Sequence, residues 1–480
     1  MKKKLALILA LTMTAALFSG CGGGNGGNKK IEEMLKEIDL TADSEYAGEL
    51  NIRTWSEETE VLMMNSLISA FNEKYPYIRI NYEQDYLDNY YSALTGDFGV
   101  AVQQNDFSDV PDIFWMSQDK IDSFYNLDDI MFPLSEIDKI DDSFTSDVLV
   151  EEALLTCKVN DCMYILPREF NQVVMYFNEE IFDAAGVSYP TAQMSQSAFL
   201  QMCADLKAGL KNCTELNDYG VPYKDAVTYL VDVNAQWDSW VWPLVKSFNG
   251  EIVSEEGEAV MNSEEVYNAI DFWKTMRKNE YAGPINTQNV GVNFRMQQAA
   301  IYFHTRNVMS NIYTSTKQIK GVQKLGVTSL PQFGDSYAVG SGASGYSMYM
   351  NSEHKTEAWL FLKFIASEEG QNILGATGNG IPAVKSMLTD ENASWRTFTH
   401  EAFGDAFDNN AFIYGMDLET SPYCSTRDFF QYVPIAQQSN VLQCLNSAFI
   451  VIDSENNSEQ QIRSALQTQN DLIDYYLHRS

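Results

Sequence analysis

Three tryptophans fall within six residues, at Trp237, Trp240 and Trp242, and two more, Trp55 and Trp115, close short apolar runs. A flat indole face stacks on apolar ligand surface, and planar polar groups beside it bond hydroxyls, which is the chemistry of holding a small molecule. At helical spacing Trp237 and Trp240 lie on adjacent faces and Trp242 elsewhere. At least one is therefore core, and Trp240 is the one expected to reach a ligand. Packing at the rim of a core is the alternative reading of Trp55 and Trp115. Bond-breaking chemistry finds less support. The chain has no G-x-S-x-G, and Gly340–Gly345, read as a glycine loop, lacks the Lys-Ser/Thr of a phosphate loop, so its glycines read as close backbone approach. With 66 acidic residues, carboxylate pairs arise by coincidence, and nothing brings two to one cleft as glycoside hydrolysis requires. Four scattered histidines (His304, His354, His400, His478) and unremarkable cysteine spacings predict no metal and no cofactor.

The elements that would position these residues alternate strand and helix. Leu50–Trp55 alternates like a strand, Glu57–Lys74 carries Val61, Met64, Ile68 and Phe71 at helical spacing, and Pro76 stops it. Tyr77–Tyr82 is a second strand, Tyr86–Phe98 a helix and Val110–Trp115 a third strand. Such alternation predicts a parallel, doubly wound sheet whose ligand sits beyond the carboxyl ends of the strands. Trp55 and Trp115 stand at those ends. Further on, Val173–Phe177 reads as a strand and Gly186 as a helix terminus. Asn262–Arg277 reads as a helix capped by Asn262 and Glu265, and Ser458–Leu477 as a last helix. At 480 residues the chain can fill two lobes. A net charge of −34 argues against nucleic acid and anionic membrane as partners.

The N-terminus has a basic start (Lys2, Lys3, Lys4), an apolar run Leu5–Phe18 too short to span a bilayer, and then Ser19-Gly20-Cys21 before glycine and asparagine. It resembles a bacterial lipobox, with Phe18 where leucine is usual. Cys21 would then be acylated and become the first mature residue, anchoring an exported protein to the outer face of the cell membrane. An ordinary secretory signal is the other reading. Ile31–Glu49 is polar and charged and reads as linker with a frayed helix. Of the remaining six cysteines, Cys157 and Cys162 flank a plausible hairpin turn and are the pair most able to face each other.

Tyr164–Pro190, with its Tyr-Ile-Leu-Pro opening and its Met-Tyr-Phe-Asn-Glu-Glu-Ile-Phe strand-to-helix passage, resembles the signature of family 1 extracellular solute-binding proteins. These are the sugar-binding lipoproteins of bacterial ABC importers, similar to maltose-binding protein. Val110–Trp115, the Phe248–Ile252 strand, Phe294–Asn307, Leu325–Pro331 as the second crossover back to lobe 1, the Lys355–Gly370 helix and the Gly380–Pro382 turn match further family segments in the same order. The resemblance implies an α/β, two-lobed periplasmic-binding-protein fold of type II, each lobe a doubly wound sheet with flanking helices, joined by hinge crossovers. It divides the chain into a leader (1–20), a flexible tether (21–48), lobe 1 (49–166), a crossover with lobe 2 (167–331), the rest of lobe 1 (332–382) and a helical part mainly on lobe 2 (383–480).

The same resemblance implies a monomeric, non-enzymatic receptor that captures a carbohydrate, an oligosaccharide above all, by hinge closure and delivers it to a permease. It directs attention to Arg168 and Glu169 after the crossover proline, a surface ion pair being the alternative, and to His304 and Arg306 at a strand exit. Asp238, Ser344 and Arg427 complete the candidates beside Trp55, Trp115, Trp237 and Trp240. A peptide, a polyamine or an organophosphate remains an open ligand class, the last through Arg168 and Arg306. A surface sensor or adhesin is the open alternative to transport.

Overall fold

The computed structural model describes residues 24–104, 106–107, 110–127, 129–285, 289–313, 321–378, 380–416, 418, 420–453 and 458–479. The leader and Cys21 lie outside them. In chain order the elements used below are α1 (Gly24–Leu35), β1 (Gly48–Trp55), α2 (Glu58–Lys74), β2 (Ile78–Asp85), α3 (Leu87–Gln104), β3 (Ile113–Ser117) and the hairpin β4 (Lys158–Val159) and β5 (Cys162–Met163). There follow β6 (Leu166–Gln172), β7 (Val174–Asn178), α4 (Gln196–Leu210), β8 (Val231–Asp232), α5 (Asp238–Ser247), α6 (Glu264–Lys278), β9 (Ile301–His304) and β10 (Leu325–Thr328). The last are β11 (Val339–Met348), α7 (Lys355–Ile365), α8 (Glu368–Gly375), β12 (Phe403–Phe407), β13 (Tyr423–Ser425), α9 (Thr426–Phe429), α10 (Gln438–Ile450) and α11 (Glu459–Leu477). Among the described residues no helix is long and apolar enough to cross a membrane.

The chain divides into two units. Unit 1 comprises the chain up to Phe170, Ala343–Thr377 and Pro382–Trp395, and unit 2 comprises Asn171–Gly342, Gly378–Ile381 and the chain from Arg396 onward. In unit 1, β2, β1 and β3 are parallel, and Trp55 is paired with Asp85 at the carboxyl end of β1. The second half of β11 runs antiparallel to β3, with Tyr346 opposite Trp115 and Ser344 opposite Ser117. Met63, Met64, Leu67 and Phe71 turn α2 onto this sheet, beside the fully buried Leu50, Ile113 and Phe114. In unit 2 the sheet order is β12-β10-β7-β9-β8, and the first residues of β11 pair with β13.

Several local expectations are corrected. The flexible tether expected over 21–48 is packed down where it is described: Ile31 and Leu35 of α1 and Ile38 beyond it are buried, a 4-and-3 spacing that the intervening charged residues obscure. Leu325–Pro331 does not return the chain to the first unit, because β10 pairs with β7 and β12 in unit 2. The passage falls at Ala343, inside β11, and Pro382–Trp395 stays with unit 1. Gly340–Gly345 is strand and not loop. A Cβ on Gly340 would strike the Ser239 carbonyl, and one on Gly345 the Leu166 carbonyl, so the strand tolerates only glycine there. Phe248–Ile252 forms a turn in place of a strand. Helix α6 is capped by Ser263, whose hydroxyl accepts the Val266 N–H, while the Asn262 amide bonds Gln467. Lys355–Gly370 breaks into α7 and α8 at Ala366–Ser367. Among the described residues no disulfide joins Cys157, Cys162, Cys203, Cys213, Cys424 or Cys444; β4 and β5 do form a hairpin, but its register sets Cys162 opposite Val159.

Candidate ligand-binding residues

Unit 1 gathers five of the candidates. β1 ends in Trp55, whose ring lies 5.7 Å from that of Trp115 at 60°. Tyr90 fixes the strand below, its hydroxyl donating to the Trp115 carbonyl at 2.8 Å, and the Tyr91 ring lies 5.9 Å from Trp115. The Trp115 indole N–H donates to Ser344 Oγ at 3.3 Å, and that hydroxyl donates to Glu169 Oε1 at 2.7 Å. Arg168 is 4% exposed. Its Nη1 donates to Glu60 Oε1 and to Tyr346 Oη, both at 2.8 Å, while Nη2 sits 3.5 Å from Glu169. The guanidinium also lies 6.0 Å from the Trp115 ring centre. The Trp115 indole, a hydroxyl, a carboxylate and a guanidinium thus form one bonded series, with the Trp55 ring packed against its indole end. The Trp55 Nε1 donor is buried without a partner among the described residues, which leaves it for an acceptor from outside the protein.

The charge of this group is net acidic. Glu57, in the β1–α2 link, is half-buried beside Trp55; burial raises its carboxyl pKa, the Glu60 charge adds to that, and Arg168 opposes it. Three carboxylates (Glu57, Glu60, Glu169) therefore face one guanidinium. Arg168, taken up by Glu60, is not a spare cation for an anionic ligand.

Unit 2 separates the remaining candidates. Trp237 precedes α5 in extended backbone, and its ring stacks on His304 at 4.6 Å and 20°. His304 closes β9, and its Nδ1 accepts the Thr305 N–H at 2.9 Å, which assigns the ring proton to Nε2. Burial lowers the His304 pKa to about 4, so the imidazole is a neutral donor at ordinary pH. Asp238, first in α5, accepts from Thr426 Oγ1 at 2.8 Å, and half-buried Arg427 follows Thr426 in α9.

Two candidates are core residues. Trp240 is 2% exposed, its ring 4.9 Å from Phe303, 5.2 Å from Trp273 and 5.4 Å from Phe333. Trp240 lies on the core-facing side of α5, while Trp237 sits just before the helix and is only partly buried. Arg306 is 0% exposed; it donates to the Gly378 carbonyl and to Asn409 Oδ1, each at 2.9 Å, with its guanidinium 4.6 Å from Phe412. It ties local chain together and offers a ligand nothing.

Sequence reasoning missed Glu57, Glu60, Tyr91 and Tyr346. Glu57 and Glu60 stand one helical turn apart directly after Trp55, and Tyr346 is two residues beyond Ser344, on the same strand face. Both signals were present, the second hidden by reading the glycine run as a loop.

The profile of the family described as bacterial extracellular solute-binding protein matches residues 66–400. No curated protein matches the chain. Among solved structures, an ABC substrate-binding protein of Listeria monocytogenes in complex with cycloalternan is 17% identical, with a TM-score of 0.68 over 90% of this chain and 99% of that one. The GacH receptor of Streptomyces glaucescens, also solved with acarbose, is 16% identical with a TM-score of 0.65 over 90% and 100%. UgpB of Mycobacterium tuberculosis, in complex with glycerophosphocholine, is 15% identical with a TM-score of 0.65 over 88% and 98%. These likenesses establish the fold. With the profile spanning more than half of it, the chain belongs to the bacterial extracellular solute-binding protein family, the non-enzymatic transport receptors of ABC transporters.

Proposed function

We propose that the protein captures an uncharged carbohydrate, an oligosaccharide above all, by hinge closure and hands it to an ABC permease, held at the outer face of the cell membrane by acylated Cys21. The observation that carries the sugar reading is the Trp55–Trp115 pair with its bonded Ser344–Glu169–Arg168 series. It combines apolar faces for sugar C–H surface with acceptors and an unpartnered indole donor for hydroxyls. Trp237 and His304 supply a second flat face with a neutral N–H. Cycloalternan and acarbose in two structural relatives agree with this choice. An organophosphate is disfavoured, since Arg168 and Arg306 are both taken up inside the protein.

A second reading has its own support. Aromatic rings beside Glu57 and Glu169, the carboxylates left over once Glu60 pairs with Arg168, also suit a cationic group, and one relative was solved with glycerophosphocholine. A thermal-shift screen of the mature chain against mono- and oligosaccharides, peptides, polyamines and glycerophosphodiesters separates the two. A ligand at a hundredfold excess over Kd stabilises by about 2.7 kcal/mol. A shift with saccharides alone is expected; silence there with a shift for a cationic solute overturns the sugar reading.

A further inference from the structure

We infer that residues 31–46 are a docked strap of unit 1, and that an acyl chain on Cys21 consequently holds unit 1 against the bilayer by one defined face. The membrane half of this inference rests on the proposed acylation of Cys21. The strap itself stands on contacts within unit 1. Ile31, Leu35 and Ile38 lie on one side of the segment, and all three are buried. Around them, Asp39 N–H donates to Thr356 Oγ1 at 2.9 Å, and Glu37 pairs with the buried Lys355 at 3.0 Å. Lys30 pairs with Asp129 at 2.7 Å. The last pair is exposed and contributes little by itself; the apolar trio is what docks the segment.

Docking changes the reach of an anchor. A free tether over residues 21–48 could extend to roughly 95 Å, whereas with the chain fixed from Ile31 only ten residues remain, and with Gly24–Lys30 in the helical form of α1 they span at most about 20 Å. The anchor would then act on the surface around Asp129 and the exposed Glu353 just before α7, and on unit 1 alone. That surface is the one presented to the headgroups of the bilayer.

Hydrogen exchange on the unacylated chain beginning at Gly22 tests the strap. Amides of residues 32–39 are expected to exchange at least about 100-fold more slowly than an unstructured peptide. The Ile31→Asp/Leu35→Asp variant should lose that protection while β1 and β3 keep theirs. Exchange at peptide rates in the unsubstituted chain overturns the strap. For the membrane half, the acylated chain is bound to phosphatidylethanolamine–phosphatidylglycerol vesicles with a dye at Glu353→Cys and acceptor dyes in the lipid. High energy transfer that falls in the double variant supports it, and equal transfer in both overturns it. Cys21→Ala should release the protein from the vesicles. An unsubstituted chain that never binds them overturns acylation and the membrane half together, leaving the exchange result to stand by itself.

Discussion

Glu60 and Arg168 are 108 residues apart in the chain, yet their side chains form a 2.8 Å ion pair with almost no exposure on either partner. Burial pushes the Glu60 carboxyl pKa up and Arg168 opposes it. Removing one partner strands the other charge. Glu60→Ala should therefore cost about 3–5 kcal/mol of stability, measured by urea denaturation, and Glu60→Leu/Arg168→Met considerably less. Equal losses in the two would show that the charge pair itself is not what the site depends on.

The tryptophans should divide by role. Trp55→Ala and Trp115→Ala are expected to weaken ligand binding at least tenfold, about 1.4 kcal/mol, in calorimetric titration. Trp240→Ala should instead lower stability by about 3–5 kcal/mol through the cavity it leaves among Phe303, Trp273 and Phe333. A Trp240→Ala protein of normal stability would refute the core assignment.

His304 should stay neutral from pH 8 down to pH 5. Its pKa of about 4 lies below the ordinary 6.5 because of burial. The stability linked to it is full above 6.5 and lost as pH falls toward 4, since the unfolded chain takes up the proton first. Nitrogen-15 NMR of the ring should report a fixed Nε2–H tautomer over that range. A midpoint near 6.5 would mean the imidazole is solvated and does not lie under Trp237.

Acid should expose a second linkage in unit 1. Burial alone would raise the Asp141 pKa, but bonds from Lys363, Ser143 and Trp359 outweigh it and hold the carboxyl at about 2 against an ordinary 3.8. The Trp359 indole donates to it at 2.6 Å and Lys363 sits at 2.8 Å. A depressed carboxylate stabilises above its unfolded pKa, so about 2 kcal/mol should vanish between pH 4 and pH 2. Asp141→Asn should flatten that part of the stability–pH curve.

The alternation of strand and helix through Trp55 and Trp115 made the α/β fold legible, because strand-end positions follow from element order alone. The roles of single side chains did not follow. Trp237 and Trp240 are three residues apart, and only tertiary packing decides which of them turns to the core. Arg306 reads as an available cation until Gly378 and Asn409 are brought to it by folding. Gly340–Gly345 carries turn-like composition, yet backbone crowding from Ser239 and Leu166 makes glycine the residue a strand needs there. Ile31, Leu35 and Ile38 were diluted among charges, so a docked segment read as solvent-exposed linker.

The absence of disulfides among the described residues carries a last consequence. Cys203 and Cys424 are buried in unit 2, and burial raises both thiol pKa values, that of Cys424 to about 12; Cys444 is raised to about 11. A thiol held so far from ionisation offers almost no thiolate for exchange or oxidation. With no disulfide among the described residues to reduce, the protein should keep the same melting temperature in reductant as in air.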